Sequence, residues 1–379
     1  MNNLLSSSTK VILVRHARTT YNEQGRYQGS SDESRLTEKG YKDALATGLA
    51  LQEYDFDAIY LSPLTRVKQT TEAIITVLKQ NKNYIPPIFT DHRLTEIKMS
   101  DWQGLLYQEV KEKYVEAANC WQNTPHLFNF NDTFFPVIDL FEQVTQFWQK
   151  LLTKHRGETI LIVAHGGTNR ALISTAVGLN PEYYHSLQQS NCGISCLEFL
   201  PNSKFAQLKY LNFTTQIKES LPKLKAGKTG WRWLLLSNAI AFDLCDYSYL
   251  TQLVKGNLIN FLLSDDTQAS TLLSQQILNF NPDILHLHLA QNHFLTTWQQ
   301  TIYNKQKLNN NSESSNDLVT GLIITDDHHI KQIIQKTFKN KTSLNTVEQL
   351  VVIHYPHKNC HPILQGILPI NNLLSPQLN

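Results

Sequence analysis

An α/β fold built on a mostly parallel sheet is predicted by three stretches of this 379-residue chain. Val11-Ile12-Leu13-Val14 runs into Arg15-His16 and then into polar sequence. Ile160-Leu161-Ile162-Val163-Ala164 runs into His165-Gly166-Gly167 and a helix-patterned segment, and Ala58-Ile59-Tyr60-Leu61 stops at Ser62-Pro63 before another helical run. Continuously apolar runs of this length suit central parallel strands, which are buried on both faces. Ligands of open α/β sheets lie outside the carboxyl ends of such strands, so His16 and His165 are expected to face one crevice.

The remaining elements follow in chain order. The polar stretch from Glu23 to Arg35 is read as a loop over that crevice. Thr37 is a candidate N-cap for a helix whose apolar face is Ala44, Leu45, Gly48, Leu49 and Leu51. Pro63 favours a helix start, so a helix is predicted over 65–78 with Arg66 in its first turn. A cation there is poorly placed for the helix dipole and well placed for an anion. Residues 104–140 show no clear periodicity, and Trp102, Trp121, Phe128, Phe130, Phe134 and Phe135 lie in or beside them. Two readings stand for this insert, a cover over the substrate and a packed excursion with its own small core.

Composition bounds the rest. Hydrophobic residues make up 41% and charged residues 17%, which is globular rather than disordered. The net charge of +2 supplies no global field for nucleic acid or an anionic membrane. No run approaches the ~18 apolar residues of a membrane span. Residues 1–10 lack the basic and apolar regions of a secretory signal, so a soluble, unprocessed cytoplasmic protein is expected. Cys120, Cys192, Cys196, Cys245 and Cys360 show neither zinc-like nor redox spacing, and Cys192 and Cys196 are read as small buried thiols. Among the histidines, His286 with His288, His328 with His329, and His354-x-x-His357-x-x-Cys360-His361 are candidate metal ligands. The last is the best group, yet Pro356, Pro362 and the missing carboxylate favour a surface turn.

Four blocks, Arg15-His16 with Thr19 and Asn22, then Ser62-Pro63-Leu64-Thr65-Arg66, then Arg93-Leu94-Thr95-Glu96, then Ala164-His165-Gly166, occur in an order and spacing that resemble the histidine phosphatase superfamily. The resemblance covers roughly residues 8–215. It implies a three-layer, phosphoglycerate-mutase-like domain, helices on both faces of the sheet, with metal-independent and cofactor-free phosphoryl transfer. His16 is then the nucleophile that forms a phosphohistidine. Arg15, Arg66 and His165 are cationic donors to the phosphoryl oxygens, since a planar guanidinium bonds two such oxygens at once. Glu96 is the proton donor to the leaving oxygen and then the base for water. Asn22, Thr19, Gln28, Gly29 and Gly166 are expected to bind or orient the phosphate. One position departs from the family pattern: Ala17 stands where glycine is usual. If that site needs a positive φ, its Cβ crowds the phosphate and lowers activity.

The reading for function is a hydrolase of phosphomonoesters whose partner is a small phosphorylated metabolite. The alternatives are a 2,3-bisphosphoglycerate-dependent phosphoglycerate mutase and a non-catalytic phosphate-ligand binder with Ala17 as its first loss. The two-part layout also resembles the carboxyarabinitol-phosphate phosphatases, which adds sugar-acid phosphates to the candidate substrates. Oligomeric state is not legible.

That layout comes from a Lys- and Gly-rich linker at 219–230, which separates a catalytic domain, 1–218, from a second part, 230–379. In the second part Trp233 to Ala239 mirrors Val11 to Ala17, Phe261 to Ser264 mirrors Ile59 to Ser62, and Leu322 to Asp327 mirrors Leu161 to Gly166. Ser237 and Asn238 take the places of Arg15 and His16, Gln268 that of Arg66, and Asp326 that of His165. A degenerate, smaller second α/β copy is expected, interrupted by a low-complexity loop at 309–316.

Overall fold

The structure, a computed structural model, describes residues 8–82, 84–225, 227–239, 248–300, 318–338, 348–356 and 361–370. The loop at 309–316 and the residues Cys245, His357 and Cys360 lie outside these. The chain divides between Glu219 and Ser220 into two compact units. Among the described residues no helix is long and apolar enough to cross a membrane.

In the first unit, β1 (Thr9–Arg15), β2 (Ala58–Leu61), β3 (Ile88–Thr90), β4 (Thr159–Ala164), β5 (Ile194–Phe199) and β6 (Gln207–Phe213) form a sheet in the order β3-β2-β4-β1-β5-β6. The first four are parallel, and β5 and β6 add antiparallel strands on the other side of β1. Consecutive residues of a strand point to opposite faces, and Val11 to Val14 and Ile160 to Ala164 are all fully buried. Both faces of the central strands are therefore covered, which is why these runs read as continuously apolar. The register pairs Arg15 with Ala164 and Leu61 with Val163. Three loops, opening at His16, Ser62 and His165, are thereby brought to one edge.

The helices are α1 (Thr20–Gln24), α2 (Glu38–Ala50), α3 (Thr65–Asn81), α4 (Tyr107–Lys113), α5 (Val115–Asn123), α6 (Pro136–Lys154) and α7 (Gly166–Val177). Thr37 caps α2 by accepting from the Gly40 amide. Ala44, Gly48 and Leu51 of its expected apolar face are buried, whereas Leu49 is 40% exposed. The helix meets α3 through Gly48, where an added Cβ would lie 2.9 Å from Val77 Cβ and 3.0 Å from Ile74 O. Leu49, the next residue, turns away from that contact. Helix α3 begins as expected and continues to Asn81. The insert, aperiodic in sequence, contains α4 and α5. These are too short to show a period, and their aromatics pack mainly on one another. The Trp102 ring lies 4.8 Å from Phe128, 5.3 Å from Tyr27 and 5.9 Å from Phe130, so these side chains form a satellite core. Cys192 and Cys196 are buried free thiols, and burial pushes each up to about 12.

The second unit holds β7 (Gly230–Ser237), β8 (Phe261–Asp265), β9 (Leu285–Leu289), β10 (Leu318–Thr325), β11 (Gln349–Tyr355) and β12 (Ile363–Pro369), in the order β9-β8-β10-β7-β11-β12. Its described helices are α8 (Ser248–Gly256), α9 (Gln268–Phe280), α10 (294–300) and α11 (Asp327–Phe338). Strands β7 to β10 are mutually parallel, β11 is antiparallel to β7 and β12 to β11. This is the order and sense of the first unit, strand for strand. Ser237 pairs with Thr325 as Arg15 pairs with Ala164. The Asn238 amide bonds Thr325 O at 2.9 Å, as the His16 amide bonds Ala164 O at 2.9 Å. One expected equivalence is corrected. Ser264 pairs with Ile324 as Leu61 pairs with Val163, so Asp265 takes the place of Ser62. The helix caps Thr267 and Leu64 then coincide. Counted from there, Ala269 stands at the place of Arg66, and Gln268 at that of Thr65. Strand β8 runs one residue further than its apolar pattern shows.

Candidate active site

The site is assembled at the carboxyl ends of β1, β2 and β4. His16 follows β1 directly and is buried. Its Nδ1 lies 2.8 Å from the carbonyl of Ala17, which can only accept. The proton therefore sits on Nδ1 and the lone pair on Nε2, the tautomer a nucleophile requires. Ala17 departs from what was expected of it. It is not among the positive-φ residues, and its methyl packs with Ala44, Ala73 and Cys192. Its amide bonds Thr70 Oγ1 at 3.0 Å. The loop therefore accepts a Cβ here without strain.

Two guanidinium groups lie beside this histidine, that of Arg66 on a fully buried residue and that of Arg15 on a half-buried one. Arg15 donates from Nη1 to Gln189 O at 2.8 Å, and Arg66 donates to Ser31 O at 2.7 Å and Gly29 O at 2.9 Å. The Nε of each is buried with no hydrogen-bond partner. Desolvation holds Arg66 down to about 10 and also lowers Arg15, with the Glu96 charge acting in the opposite sense on both. Both stay cationic at neutral pH. Among the described residues no carboxylate lies in ion-pair range of either. A charge buried without a counter-charge is costly, so the arrangement is incomplete without an anion.

His165 approaches from the end of β4. Its Nε2 is 2.7 Å from Ser62 Oγ, and its buried Nδ1 has no partner. The two imidazole rings lie 5.3 Å apart, edge to face. Burial, then Arg66, His16 and Arg15, pull the His165 pKa well below its ordinary value. This direction opposes the cationic form expected of His165, whose buried Nδ1 has no partner.

Glu96 follows a short 3₁₀ turn at His92–Leu94 and lies over the start of α7. Its Oε2 accepts from the Gly167 amide at 3.1 Å, and its Oε1 from the Thr168 amide at 3.1 Å and the Ile97 amide at 3.0 Å. The N-cap His165 makes no side-chain bond to the helix. A carboxylate from elsewhere in the sequence therefore satisfies the first amides of α7.

The expected phosphate-binding residues divide into two groups. Asn22 accepts at Oδ1 from the Thr19 amide and from Asn191 Nδ2, which leaves its Nδ2 as the donor. Gly166 stands where a Cβ would lie 3.1 Å from Arg15 Nε, so it admits that side chain. Thr19, Gln28 and Gly29 act at one remove. Thr19 is the N-cap of α1, Gln28 Oε1 accepts from Thr19 and Ser34, and Gly29, at φ +53, presents its carbonyl to Arg66.

The sequence assigns no role to several residues that brace the site. Ser62 and Thr70 brace His165 and the Ala17 amide, and Asn191 Nδ2 donates to His16 O at 3.0 Å. Tyr107, at the start of α4, has a hydroxyl that feels Arg15, Arg170 and Glu96, while the residue as a whole is 44% exposed. Tyr184 is buried, with its hydroxyl against Glu96 and Gly167. A Cβ on Gly167 would lie 2.3 Å from Tyr184 Oη and 2.5 Å from Glu96 Oε1. Gly167→Ala is therefore expected to move the Glu96 carboxylate and to lower kcat about tenfold to a hundredfold, with phosphate affinity little changed because Arg15 and Arg66 stay in place. Steady-state kinetics with inorganic phosphate as competitor checks this. An unchanged kcat would show that the carboxylate position is not critical.

Known proteins match the same part of the chain. The family model of the histidine phosphatase superfamily, branch 1, matches residues 11–212. A 2-carboxy-D-arabinitol-1-phosphatase of Triticum aestivum is 42% identical over 197 residues, 52% of this chain and 38% of that protein. Phosphoserine phosphatase 1 of Hydrogenobacter thermophilus is 31% identical over 188 residues, 50% of this chain and 85% of that one. A metal-independent phosphoserine phosphatase of Arabidopsis thaliana is 32% identical over 171 residues, 44% of this chain and 68% of that protein. The match with the wheat protein spans well under half of its length. A model covering more than half of the chain, over the very segment that carries His16, Arg66, Glu96 and His165, places this chain in the histidine phosphatase superfamily.

Proposed function

We propose that the chain is a metal-independent phosphomonoester hydrolase, located in the cytoplasm, that acts on a small phosphorylated metabolite through a phosphohistidine on His16. The observation that carries this reading is the pair of guanidinium groups, one buried and one half-buried, with no carboxylate in ion-pair range among the described residues, placed around a histidine whose tautomer leaves Nε2 as the nucleophile. A phosphate ester supplies the missing negative charge. In the first step His16 Nε2 attacks phosphorus while the bond to the leaving oxygen breaks, and Glu96 gives that oxygen its proton. In the second, Glu96 takes a proton from water, the new oxygen bonds to phosphorus, and the phosphorus–nitrogen bond breaks to release inorganic phosphate. Arg15, Arg66 and His165 hold the equatorial oxygens throughout.

The relatives support phosphorylated sugar acids and amino acids as the first substrates to try. A panel of such phosphomonoesters, incubated with a chelator and followed by phosphate release, tests the proposal. Hydrolysis that persists with the chelator is expected. A complete absence of phosphate release across the panel, or release only with added metal, would overturn it. The non-catalytic alternative loses its motive, because Ala17 sits without strain and points its methyl into an apolar cluster.

For residues 230–379 we propose a degenerate copy of the catalytic domain, 1–218. The support is the matching strand order and sense, with Ser237, Asn238, Ala269 and Asp326 at the places of Arg15, His16, Arg66 and His165. No nucleophile and no phosphate-binding cation occupies those places. All activity of the full chain should therefore depend on His16.

A further inference from the structure

We propose that the second unit binds one divalent transition-metal ion, of the manganese or zinc class, through Asp265, Asp326 and His329. These residues lie at the carboxyl ends of β8 and β10 and in the first turn of α11, and their ligand atoms all fall within 4.8 Å of one another. Asp326 Oδ2 and His329 Nδ1 are 3.0 Å apart. The two form an ion pair when the imidazole is protonated, and since two metal bonds of about 2.1 Å at a right angle span about 3.0 Å, they are spaced as neighbouring ligands of one coordination sphere would be.

Charge points the same way. Asp265 is fully buried, and its bonds come from neutral donors alone. Oδ1 accepts from the Thr267 amide at 3.1 Å and from Thr267 Oγ1 at 2.6 Å, and Oδ2 accepts from Thr325 Oγ1 at 2.8 Å. Among the described residues it forms no ion pair. Asp326 adds a second carboxylate, against which one imidazole supplies at most a single charge. These hydrogen bonds offset the cost of burying the Asp265 carboxylate, and a metal ion would add the positive charge that they do not supply.

Helix capping and turn formation explain only part of this. Asp326 Oδ1 accepts from the His329 amide at 2.8 Å, as an N-cap should, and Asp265 Oδ1 closes the turn before α9. Thr325 Oγ1 links the same groups: it donates to Asp265 Oδ2 at 2.8 Å and therefore accepts from His329 Nδ1 at 3.0 Å, and a bound metal ion would take the place of that Nδ1 proton. The surroundings also hold the donors in place, as good outer partners of a metal site do. Gln291 Nε2 donates to Asp326 Oδ2 at 3.0 Å, and the His329 ring stacks on Phe294 at 5.7 Å with an interplanar angle of 18°.

The position explains the chemistry. In the first unit the equivalent places hold Arg15, Ser62, Arg66 and His165, an anion site. Here they hold Ser237, Asp265, Ala269 and Asp326, so the cations are gone and two carboxylates have arrived. Two carboxylates with one imidazole suit manganese or zinc better than calcium or magnesium, which prefer oxygen alone, and better than the soft ions that prefer thiolate.

The full chain, stripped with a chelator, should take up one equivalent of Mn2+, read as loss of the free-ion electron paramagnetic resonance signal, or one of Zn2+ by calorimetry. Its thermal midpoint should rise as the ion is added. Asp326→Asn and His329→Gln should each weaken binding about tenfold or more. Asparagine still caps a helix, so metal-free Asp326→Asn should melt as the metal-free parent does, and His329→Gln decides the matter if it does not. Failure of the parent chain to bind either ion saturably, or binding of equal strength in both variants, would overturn the proposal. Phosphate release by the first unit is scored separately, so the two proposals fail independently.

Discussion

His16→Ala is expected to lower phosphate release by about four orders of magnitude or more on every substrate, because it removes the covalent route and leaves no other nucleophile in position. The Ser62 hydroxyl is turned to His165 and the Thr70 hydroxyl to Arg66 O, so neither replaces the imidazole. The parent chain, quenched with alkali after mixing with a 32P-labelled ester, should carry label that is stable to base and labile to acid, the behaviour of a phosphoramidate. The variant should carry none. It should still bind inorganic phosphate, since Arg15, Arg66 and His165 remain, and this separates loss of chemistry from loss of fold. The same variant tests the second unit: residual turnover near the parent rate would place a second catalytic centre in the chain and sink the proposed mechanism.

What the sequence made legible here follows from how each feature is encoded. The strand ends were readable because a strand buried on both faces must be apolar at every position, and the switch to Arg15-His16 or to His165 marks where burial gives way to chemistry. Arg66 was readable from its place just after Ser62-Pro63. The partners of these groups were not. Ser62 is legible as a strand end, but its bond to His165, like the roles of Thr70 and Asn191, depends on which loops meet. Tyr184 and Tyr107 reach the site from elements that carry no motif. The hold on Glu96 is likewise invisible, because its donors, the amides of Gly167 and Thr168, lie about seventy residues away and are brought to it by the fold. Ala17 misled because a family pattern was read as a backbone requirement, whereas this loop adopts no positive φ there. The one-residue slip at Gln268 has a simple cause. Asp265 ends β8 as a buried carboxylate, and an apolar pattern cannot include it.

Glu96→Gln is expected to separate the two steps of the reaction. On an ester whose leaving oxygen is strongly basic, an alkyl or sugar-acid phosphate, the variant should lose about a hundredfold to ten-thousandfold in kcat, the usual contribution of a placed general acid. An activated aryl phosphate departs without a proton, so its first step should be nearly unaffected. The second step still needs a base for water, and glutamine provides none. With the aryl ester the variant should therefore release one equivalent of phenol per chain in a burst and then turn over slowly as the phosphohistidine accumulates. A structural cost accompanies this. Glutamine keeps one acceptor oxygen for three amides, those of Ile97, Gly167 and Thr168, and its NH2 faces at least one N–H, so about 1 kcal/mol of the capping of α7 is lost. That cost is common to both substrates and cannot produce a burst. Equal losses on the alkyl and aryl esters, with no burst on either, would reduce Glu96 to the cap of α7 and move the proton transfers to another group, for which Tyr107, whose hydroxyl feels the charges of Arg15, Arg170 and Glu96, is the next to test.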